Sequence, residues 1–305
     1  MNASAAWHVD LDGAWPRDVP GTVPYFDARD WGPRLRYSAT RALVRDFYEK
    51  MRGHLAPFTL YGSGDFHYLT ALWLQRLADP FTLVSFDNHP DWDVRPPRWC
   101  CGTWINRALE LPNLHAAVIW GCGNFELNWP SRLFANHRAL HADRLRVWPW
   151  AERIAPSARK LWPGMRRDNW RDHFSQFASS LSGRRIYVTV DLDCLSAEDA
   201  VTNWENGLFT SDDIAWALSR LRARAEIVGG DVCGAFSPVV YARFKQRIEG
   251  TIDHPRIAEI DAAEAARRNL RALETIWPAL TGGNQHHPGA DQQDADPQAA
   301  THFLP

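Results

Sequence analysis

The sequence lacks the features that mark several large classes of protein. Its 305 residues carry a formal net charge of −2, so no positive excess predicts binding to nucleic acid or to an anionic membrane surface. No run approaches the ~20 continuous apolar residues that cross a bilayer, and no basic segment followed by an apolar core opens the chain. The five cysteines form no Cys-x-x-Cys pair and no even disulfide framework. We therefore expect a reducing, cytoplasmic location.

What the chain does have is enough apolar sequence, 45% of its residues, to bury a large core. Strand-like apolar runs recur at 57–61, 81–86, 116–120, 145–148, 186–190 and 226–229. Helical patterns cover 68–78, 211–224 and 256–277. This alternation predicts one α/β domain over residues 1–282, a three-layer α/β/α arrangement with a mostly parallel central sheet. Residues 283–305 are polar and rich in Gly, Gln, Asp and Pro, which predicts a disordered tail.

The most informative segment follows the apolar run 81–86, where Asp87, His89 and Asp91 stand at alternate positions. In extended backbone, side chains at i, i+2 and i+4 project to one side. Carboxylate and imidazole donors without thiols suit hard or borderline divalent metals. Ligands of open α/β sheets also bind at the carboxyl ends of the strands. The segment therefore predicts a metal site, with a salt-bridged acidic loop as the alternative.

Two further segments place similar side chains after predicted strands. His67 follows the run 57–61 through the turn Gly62-Ser63-Gly64, and Asp191 and Asp193 follow the run 186–190. With the first segment they make four carboxylates and two imidazoles. That is too much negative charge to bury unpaired, and it is about what two divalent ions held ~3.5–4 Å apart require.

These segments resemble the signature elements of a known family. Residues 64–67 (Gly-Asp-Phe-His) are similar to a Gly-Gly-Asp-His element with one residue inserted, 87–91 to Asp-Ala-His-x-Asp, and 191–193 to Asp-x-Asp. Their order and spacing over roughly 55–240 resemble those of the ureohydrolases, which include arginase and agmatinase. The resemblance implies an arginase-like fold and a hydrolase acting on C–N bonds other than peptide bonds.

The resemblance also implies a site for two Mn²⁺ ions, which Zn²⁺ or another divalent ion could replace. His67 and Asp91 would bind one ion, His89 and Asp193 the other, and Asp87 and Asp191 would bridge them. Asp91 would in addition orient the attacking hydroxide and so act as the catalytic residue. Ureohydrolases often form trimers or hexamers, so a homo-oligomer is one partner the resemblance suggests.

Departures from the family concentrate where the substrate would bind. An arginase-type segment carries a glutamate that grips guanidinium, but residues 230–238 place Gly234, or Cys233, at that position. The family histidine about a dozen residues after the Asp-x-His-x-Asp element is absent from 101–106. Four acids could replace the missing glutamate. Glu126 and Asp231 follow predicted strands, whereas the resemblance suggests Asp93, two residues beyond Asp91, and Glu205, in a segment similar to the family's Gly-Thr-Pro loop. An acidic site of this kind favours a small cationic substrate.

The predicted function is therefore a binuclear manganese hydrolase that cleaves a C–N bond of a small guanidino or amidino compound. One alternative is a single-zinc, deacetylase-like hydrolase of the same fold using Asp87, His89 and Asp191, which His67 and Asp193 disfavour. Another is a metal-binding relative that has lost turnover, consistent with the missing glutamate and histidine. A metallophosphoesterase is excluded because the motifs stand in the wrong order.

Overall fold

The computed structural model describes residues 5–19, 23–97, 99–162, 164–255 and 261–283. Within them, eight strands form one sheet in which every neighbouring pair is parallel. The strands are β1 (Ala6–Asp10), β2 (Tyr25–Asp27), β3 (Phe58–Tyr61), β4 (Phe81–Phe86), β5 (Leu114–Trp120), β6 (Leu145–Trp148), β7 (Arg185–Asp191) and β8 (Glu226–Cys233). Their order is β2-β1-β3-β8-β7-β4-β5-β6. The predicted fold class, a parallel sheet between helical layers, is confirmed.

The six predicted strands are all present, and the largest difference lies in β8. That strand continues to Cys233, four residues beyond the predicted end at 229. The prediction stopped there because glycine is depleted in strands, and Gly229 and Gly230 stand at this point. The structure explains both glycines by close packing: a Cβ on Gly230 would lie 2.4 Å from the Val188 carbonyl oxygen of β7. The added length carries Asp231 and Cys233 to the carboxyl edge of the sheet.

Helices cover both faces of the sheet and bury a separate core on each. One core gathers apolar side chains of α2 to α6, and the other gathers those of α7, α8 and α10. The helices are α1 (Gly32–Leu35), α2 (Arg41–Met51), α3 (Thr70–Trp73), α4 (Trp104–Ala108), α5 (His137–His141), α6 (Pro156–Arg159), α7 (Trp170–Ser180), α8 (Ser211–Arg222), α9 (Phe244–Asp253) and α10 (Ala262–Thr281). With helices on both sides, the central strands are buried and read as continuous apolar runs.

The helix predictions hold for two segments and in part for the third, which is helical but mostly of the 3-10 type. The segment 211–222 is helical and begins with a capping box between Thr210 and Asp213. The predicted helix 68–78 is instead α3 flanked by 3-10 turns at Gly64–Leu69 and Leu74–Arg76. The helix predicted over 256–277 passes through Pro278 and ends at Gly282, whose φ of 82° suits glycine. Its predicted start at 256–260 and the tail beyond 283 lie outside the described residues.

The first fifty residues, to which the sequence assigned no role, extend the sheet by β1 and β2 and contribute α2 to one helical layer. No helix in the described ranges combines the length and the apolar character needed to cross a membrane.

Candidate metal centre

The predicted metal ligands meet at the carboxyl edge of the sheet, at the ends of neighbouring strands. His67 lies in the 3-10 turn after β3, Asp87 directly follows β4, and Asp191 is the last residue of β7. Parallel strands bring these ends to one edge, so residues 124 positions apart become neighbours. The set brought together is His67, Asp87, His89, Asp91, Asp191 and Asp193. All except His89, which is partly buried, are buried.

The first half of the centre surrounds the His67 ring. Its Nδ1 atom lies 3.1 Å from Asp87 Oδ2, 3.5 Å from Asp91 Oδ2 and 3.4 Å from Asp191 Oδ2. Donor atoms of His67, Asp87 and Asp91 lie within 4.8 Å of one another, close enough to hold one ion. A single imidazole nitrogen facing three carboxylates is a donor set suited to a divalent cation.

The second half surrounds His89. Its Nδ1 atom lies 2.7 Å from Asp193 Oδ2 and 3.6 Å from Asp87 Oδ1. Donor atoms of Asp87, His89 and Asp193 form a second group within the same limit. Asp87 belongs to both groups and offers a different oxygen to each histidine. This is the arrangement expected of a carboxylate that bridges two ions.

Side chains behind the ligands fix the direction of both histidine rings. His67 Nε2 lies 2.9 Å from Thr189 Oγ1, and that hydroxyl donates to Asp231 Oδ1 at 2.5 Å. On the other side, His89 Nε2 lies 3.4 Å from Glu205 Oε2. Both rings therefore have an acceptor for the Nε2 proton, which leaves each Nδ1 free to face the carboxylates. Partners of this kind orient metal-bound histidines.

These contacts decide where two of the predicted substrate residues lie. Asp231 accepts hydrogen bonds from the hydroxyls of Thr189, Tyr187 and Thr70, and it lies outside the described residues that line the cavity above the centre. Burial raises the pKa of Asp231 to about 6, against the opposing effects of His67 and the hydroxyls. Glu205 is partly exposed and is directed at His89. Glu205 thus contacts the predicted ligand His89 directly, and Asp231 contacts Thr189, whose hydroxyl lies next to His67.

Asp91 is held in a backbone conformation that non-glycine residues rarely adopt, with φ of 48°. Trp104, the first residue of α4, donates its indole N–H to Asp91 Oδ2 at 2.5 Å. The same indole packs on the His67 ring, with centroids 4.7 Å apart. Sequence analysis did not select Trp104, although it lies in the segment 101–106 where the family histidine is missing. Backbone strain that surrounding contacts maintain is typical of functional sites.

The electrostatics of the centre favour a bound cation. Burial raises the pKa values of Asp91 and Asp193 well above their usual range, and the neighbouring carboxylates, Asp87 for Asp91 and Asp191 for Asp193, raise them further. Burial also opposes the charge of His67, yet the hydrogen bond and charge of Asp87 outweigh it and raise its pKa to about 9. Four buried carboxylates so close to one another repel each other and lack solvation by water, so they need positive charge among them. The residues present therefore fit divalent ions.

A cavity of about 240 Å³ opens above the centre. The ligands form its floor, and its walls include Trp92, Trp204, Phe134 and the adjacent Cys100 and Cys101. Three acids outside the ligand set also line it: Asp93, Glu126 and Asp253. Asp253, at the end of α9, was not selected from the sequence because nearly two hundred residues separate it from the first motif.

The three carboxylates differ in their hydrogen-bond and ion-pair partners. Asp93 is gripped through both oxygens by Arg95, whose guanidinium lies 3.7 Å from the centre of the Phe134 ring. Asp253 accepts a hydrogen bond from the Tyr37 hydroxyl. Glu126 has one buried oxygen, Oε2, without a hydrogen-bond partner among the described residues. Burial, helped by the charges of Asp93, Asp87 and Asp253 and opposed by His89, raises its pKa to about 7.

Steric crowding explains why no glutamate stands at position 234, one of the two positions that the sequence matched to the guanidinium-binding glutamate of the resembled family. Gly234 has φ of 98°, and a Cβ there would lie 2.1 Å from Asp191 Oδ1 and 2.5 Å from Leu192 N. No side chain fits at this position while Asp191 stays in place. The neighbouring candidate, Cys233, lies under Asp191 with Sγ 3.4 Å from Oδ2. A glutamate at either position would displace a predicted metal ligand.

The N-terminal segment supports the loop that carries His67. Arg36 is buried and donates to Asp65 Oδ2 at 2.6 Å, and also to the hydroxyls of Ser63 and Ser237. His254 Nε2 lies 2.7 Å from the other Asp65 oxygen. Burial raises the pKa of Asp65, but the charges of His254 and Arg36 lower it to about 2. Arg36 thus ties residues near the N-terminus to the turn preceding the ligand.

Comparison with known proteins supports the fold. No family model matches the chain. An uncharacterized protein of Thermotoga maritima is 25% identical over 214 residues, 70% of this chain and 71% of that protein. Among solved structures, arginase from Bacillus subtilis has a TM-score of 0.55 at 11% identity, covering 93% of this chain and 100% of that one.

Two other solved structures give a similar result. Formimidoylglutamase from Bacillus subtilis has a TM-score of 0.53 at 14% identity, covering 92% of this chain and 86% of that one. Proclavaminate amidino hydrolase from Streptomyces clavuligerus has a TM-score of 0.52 at 13% identity, covering 91% and 92%. The chain therefore has the arginase–ureohydrolase fold, as its motifs predicted.

Proposed function

We propose that the protein is a binuclear metal hydrolase that cleaves a C–N bond of a small cationic guanidino or amidino compound. The observation that carries the proposal is the pair of His/Asp groups that share Asp87 on the floor of a cavity. The similar fold of an arginase and of an amidino hydrolase supports the reaction class. Because fold alone does not determine chemistry, the argument rests on the donor set and on the charge around it.

The proposed ligands keep the assignment made from the sequence. His67 and Asp91 would hold one ion, His89 and Asp193 would hold the other, and Asp87 and Asp191 would be shared by both. We propose Mn²⁺, with Zn²⁺ or another divalent ion able to occupy the same donors. Two divalent ions supply positive charge that lowers the pKa of a water molecule and stabilises a tetrahedral intermediate. Because each histidine has carboxylates of its own, with Asp91 beside His67 and Asp193 beside His89, the centre is better suited to two ions than to the single zinc of a deacetylase-like enzyme.

Within this mechanism, Asp91 is the catalytic residue of the chain. Its carboxylate borders the cavity, orients the attacking water and accepts a proton from it. The indole N–H of Trp104 donates to Oδ2, the Asp91 oxygen that lies 3.5 Å from His67 Nδ1, and so holds the carboxylate in place. Trp104 is thus a positioning residue that acts through Asp91. Hydrogen bonds to charged groups contribute roughly 1.5–3 kcal/mol, enough to hold the carboxylate in one orientation.

We assign the cationic end of the substrate to Glu126. Within the described part of the chain its buried Oε2 atom has no hydrogen-bond partner, whereas Asp93 is occupied by Arg95. A positively charged ligand would satisfy that oxygen and remove the cost of burying its charge. Asp253 adds negative charge from the opposite wall. Glu205 and Asp231 then act on the substrate indirectly, by holding the two histidines.

The partners proposed are small molecules only. The net charge of −2 gives no reason to expect nucleic acid or a membrane as a partner. The unpaired pattern of the five cysteines supports a reducing, cytoplasmic location. The resemblance suggests in addition a homo-oligomer, which size-exclusion chromatography with light scattering tests.

The first test of the function is metal content. Protein purified with Mn²⁺ supplied is expected to hold about two manganese ions per chain by elemental analysis, and Asp191→Ala is expected to lose them. Asp168→Ala, at an exposed turn, is the matched control. Guanidino and amidino compounds are then screened for release of urea or ammonia. A single zinc would favour the deacetylase-like alternative, and absence of metal would remove the proposed mechanism.

A further inference from the structure

One buried side chain at the centre has no counterpart in the oxygen and nitrogen donor set predicted from the sequence. Cys233, the last residue of β8, is fully buried. His67, Asp191 and Cys233 each bring one donor atom within 4.8 Å of the other two. A thiol therefore stands beside the His67 half of the centre, and it is not among the described residues that line the cavity.

The spacing of these donors matches that of ligands on one ion. Metal–sulfur bonds of about 2.3 Å and metal–oxygen bonds of about 2.0 Å, at a tetrahedral angle, place sulfur and oxygen about 3.5 Å apart. The observed separation of Cys233 Sγ and Asp191 Oδ2 is 3.4 Å. A nitrogen and an oxygen bound to the same tetrahedral ion would lie about 3.4 Å apart. His67 Nδ1 lies 3.4 Å from Asp191 Oδ2.

The neighbouring backbone explains why the sulfur can approach so closely. Gly234 has no side chain and takes a positive φ of 98°, so the chain turns directly beneath Asp191. Its N–H donates to the Gly62 carbonyl at 3.0 Å, which ties the end of β8 to the loop leading to His67. The same glycine that excludes a guanidinium-binding glutamate thus places Cys233 against the ligands.

We propose that Cys233 is a thiolate ligand of the ion at His67. This half of the centre consequently binds a thiophilic ion such as Zn²⁺ more tightly than Mn²⁺ when both are offered, and it accepts Mn²⁺ when Mn²⁺ alone is supplied. The inference rests on the metal centre proposed above. On binding, the thiol releases its proton to solvent and the sulfur donates an electron pair to the ion, with no change in oxidation state. Thiolate donors select zinc over manganese, whereas carboxylates suit manganese. The centre then holds two unlike sites, one with sulfur and one without.

Cobalt(II) tests the proposal because it reports binding and sulfur ligation separately. Metal-free protein is loaded with Co²⁺, and its absorption spectrum is recorded. Visible ligand-field bands show that cobalt is bound, and a near-ultraviolet sulfur-to-cobalt charge-transfer band shows a thiolate ligand. We expect both in the wild type and only the visible bands in Cys233→Ser. Cys194→Ser, at a buried cysteine beside Asp193, is the matched control and is expected to keep both.

Each outcome bears on a different claim. Two outcomes would overturn the thiolate ligand and leave the proposed function standing. In the first, the wild type shows visible bands but no charge-transfer band; in the second, Cys233→Ser keeps the charge-transfer band. No cobalt bands at all would contradict the metal centre itself. X-ray absorption of the zinc-loaded wild type covers the case of a variant that does not fold, since a sulfur neighbour at about 2.3 Å is expected. A shell of oxygen and nitrogen alone would refute the proposal.

Metal affinities give a second, quantitative measurement. Loss of a ligand is expected to weaken Zn²⁺ binding by roughly tenfold or more in Cys233→Ser, while Mn²⁺ binding changes less. Competition with a chelator measures both affinities. An equal change for the two ions would show that Cys233 supports the site without choosing the metal.

Discussion

The charge of Glu126 is predicted to destabilise the metal-free protein, and Glu126→Gln removes it with little change of shape. Its pKa rises from an ordinary value of 4.5 to about 7 because the carboxylate is buried near Asp93, Asp87 and Asp253. The folded protein therefore holds this proton more tightly than the unfolded chain does. Below about pH 4.5 both states are protonated and the group has no effect, whereas between pH 4.5 and 7 stability falls as pH rises.

The shift sets the size of the effect. At 1.36 kcal/mol per pKa unit, the ionised form costs the metal-free fold roughly 3 kcal/mol once the pH exceeds 7. The pKa of about 7 already includes the opposing charge of His89, and the ion pair of Arg95 with Asp93 weakens the repulsion from Asp93 and lowers this figure. We expect Glu126→Gln to match the wild type near pH 4.5 and to be about 2–3 kcal/mol more stable at pH 8.

Urea unfolding in the presence of a chelator, repeated at several pH values, measures this difference. Glu198→Gln, at an exposed turn, is the control and is expected to leave the pH dependence unchanged. In the metal-loaded enzyme, Glu126→Gln is expected to raise KM for a cationic substrate by about 10–100-fold, since a charged hydrogen bond of roughly 1.5–3 kcal/mol is lost. Equal stability of the two proteins at pH 8 would refute the buried, unpaired charge, and an unchanged KM would refute the substrate role.

Three further substitutions test the centre. Gly234→Ala is expected to displace Asp191, because the new Cβ would lie 2.1 Å from Oδ1. The variant is expected to bind less metal and to lose roughly 1–3 kcal/mol of folding stability. Gly53→Ala, with open space around the new Cβ, is the control and is expected to change neither. Asp191→Asn keeps the size but removes the shared charge, and calorimetric titration with Mn²⁺ is expected to show binding weakened at both halves. Trp104→Phe keeps a ring on His67 but removes the hydrogen bond to Asp91, so kcat is expected to fall by about tenfold or more while manganese stoichiometry stays unchanged; a kcat equal to the wild type would exclude the positioning role.

Much of the site could be predicted because it follows directly from strands. Buried parallel strands read as apolar runs, and acids or histidines at their ends stand out against that background. Asp87 and Asp191 were found in this way, and their neighbours at i+2 and i+4 came with them. Glu126, chosen only as an acid after a strand, proves to line the cavity, whereas Asp231, chosen on the same ground, lies behind a ligand. Strand ends thus predicted position along the sheet but not the direction of each side chain.

The sequence by itself therefore determined the layered α/β fold, because local periodicity encodes it, and its motifs predicted which six side chains meet at the edge of the sheet. The tertiary structure decided which groups stand behind those donors. Trp104 on Asp91, Arg36 on Asp65 and Cys233 under Asp191 join segments that are separated along the chain. Such contacts depend on strand order and close packing, which no local pattern records. The proposed role of Trp104 and the proposed sulfur ligand both depend on such nonlocal contacts.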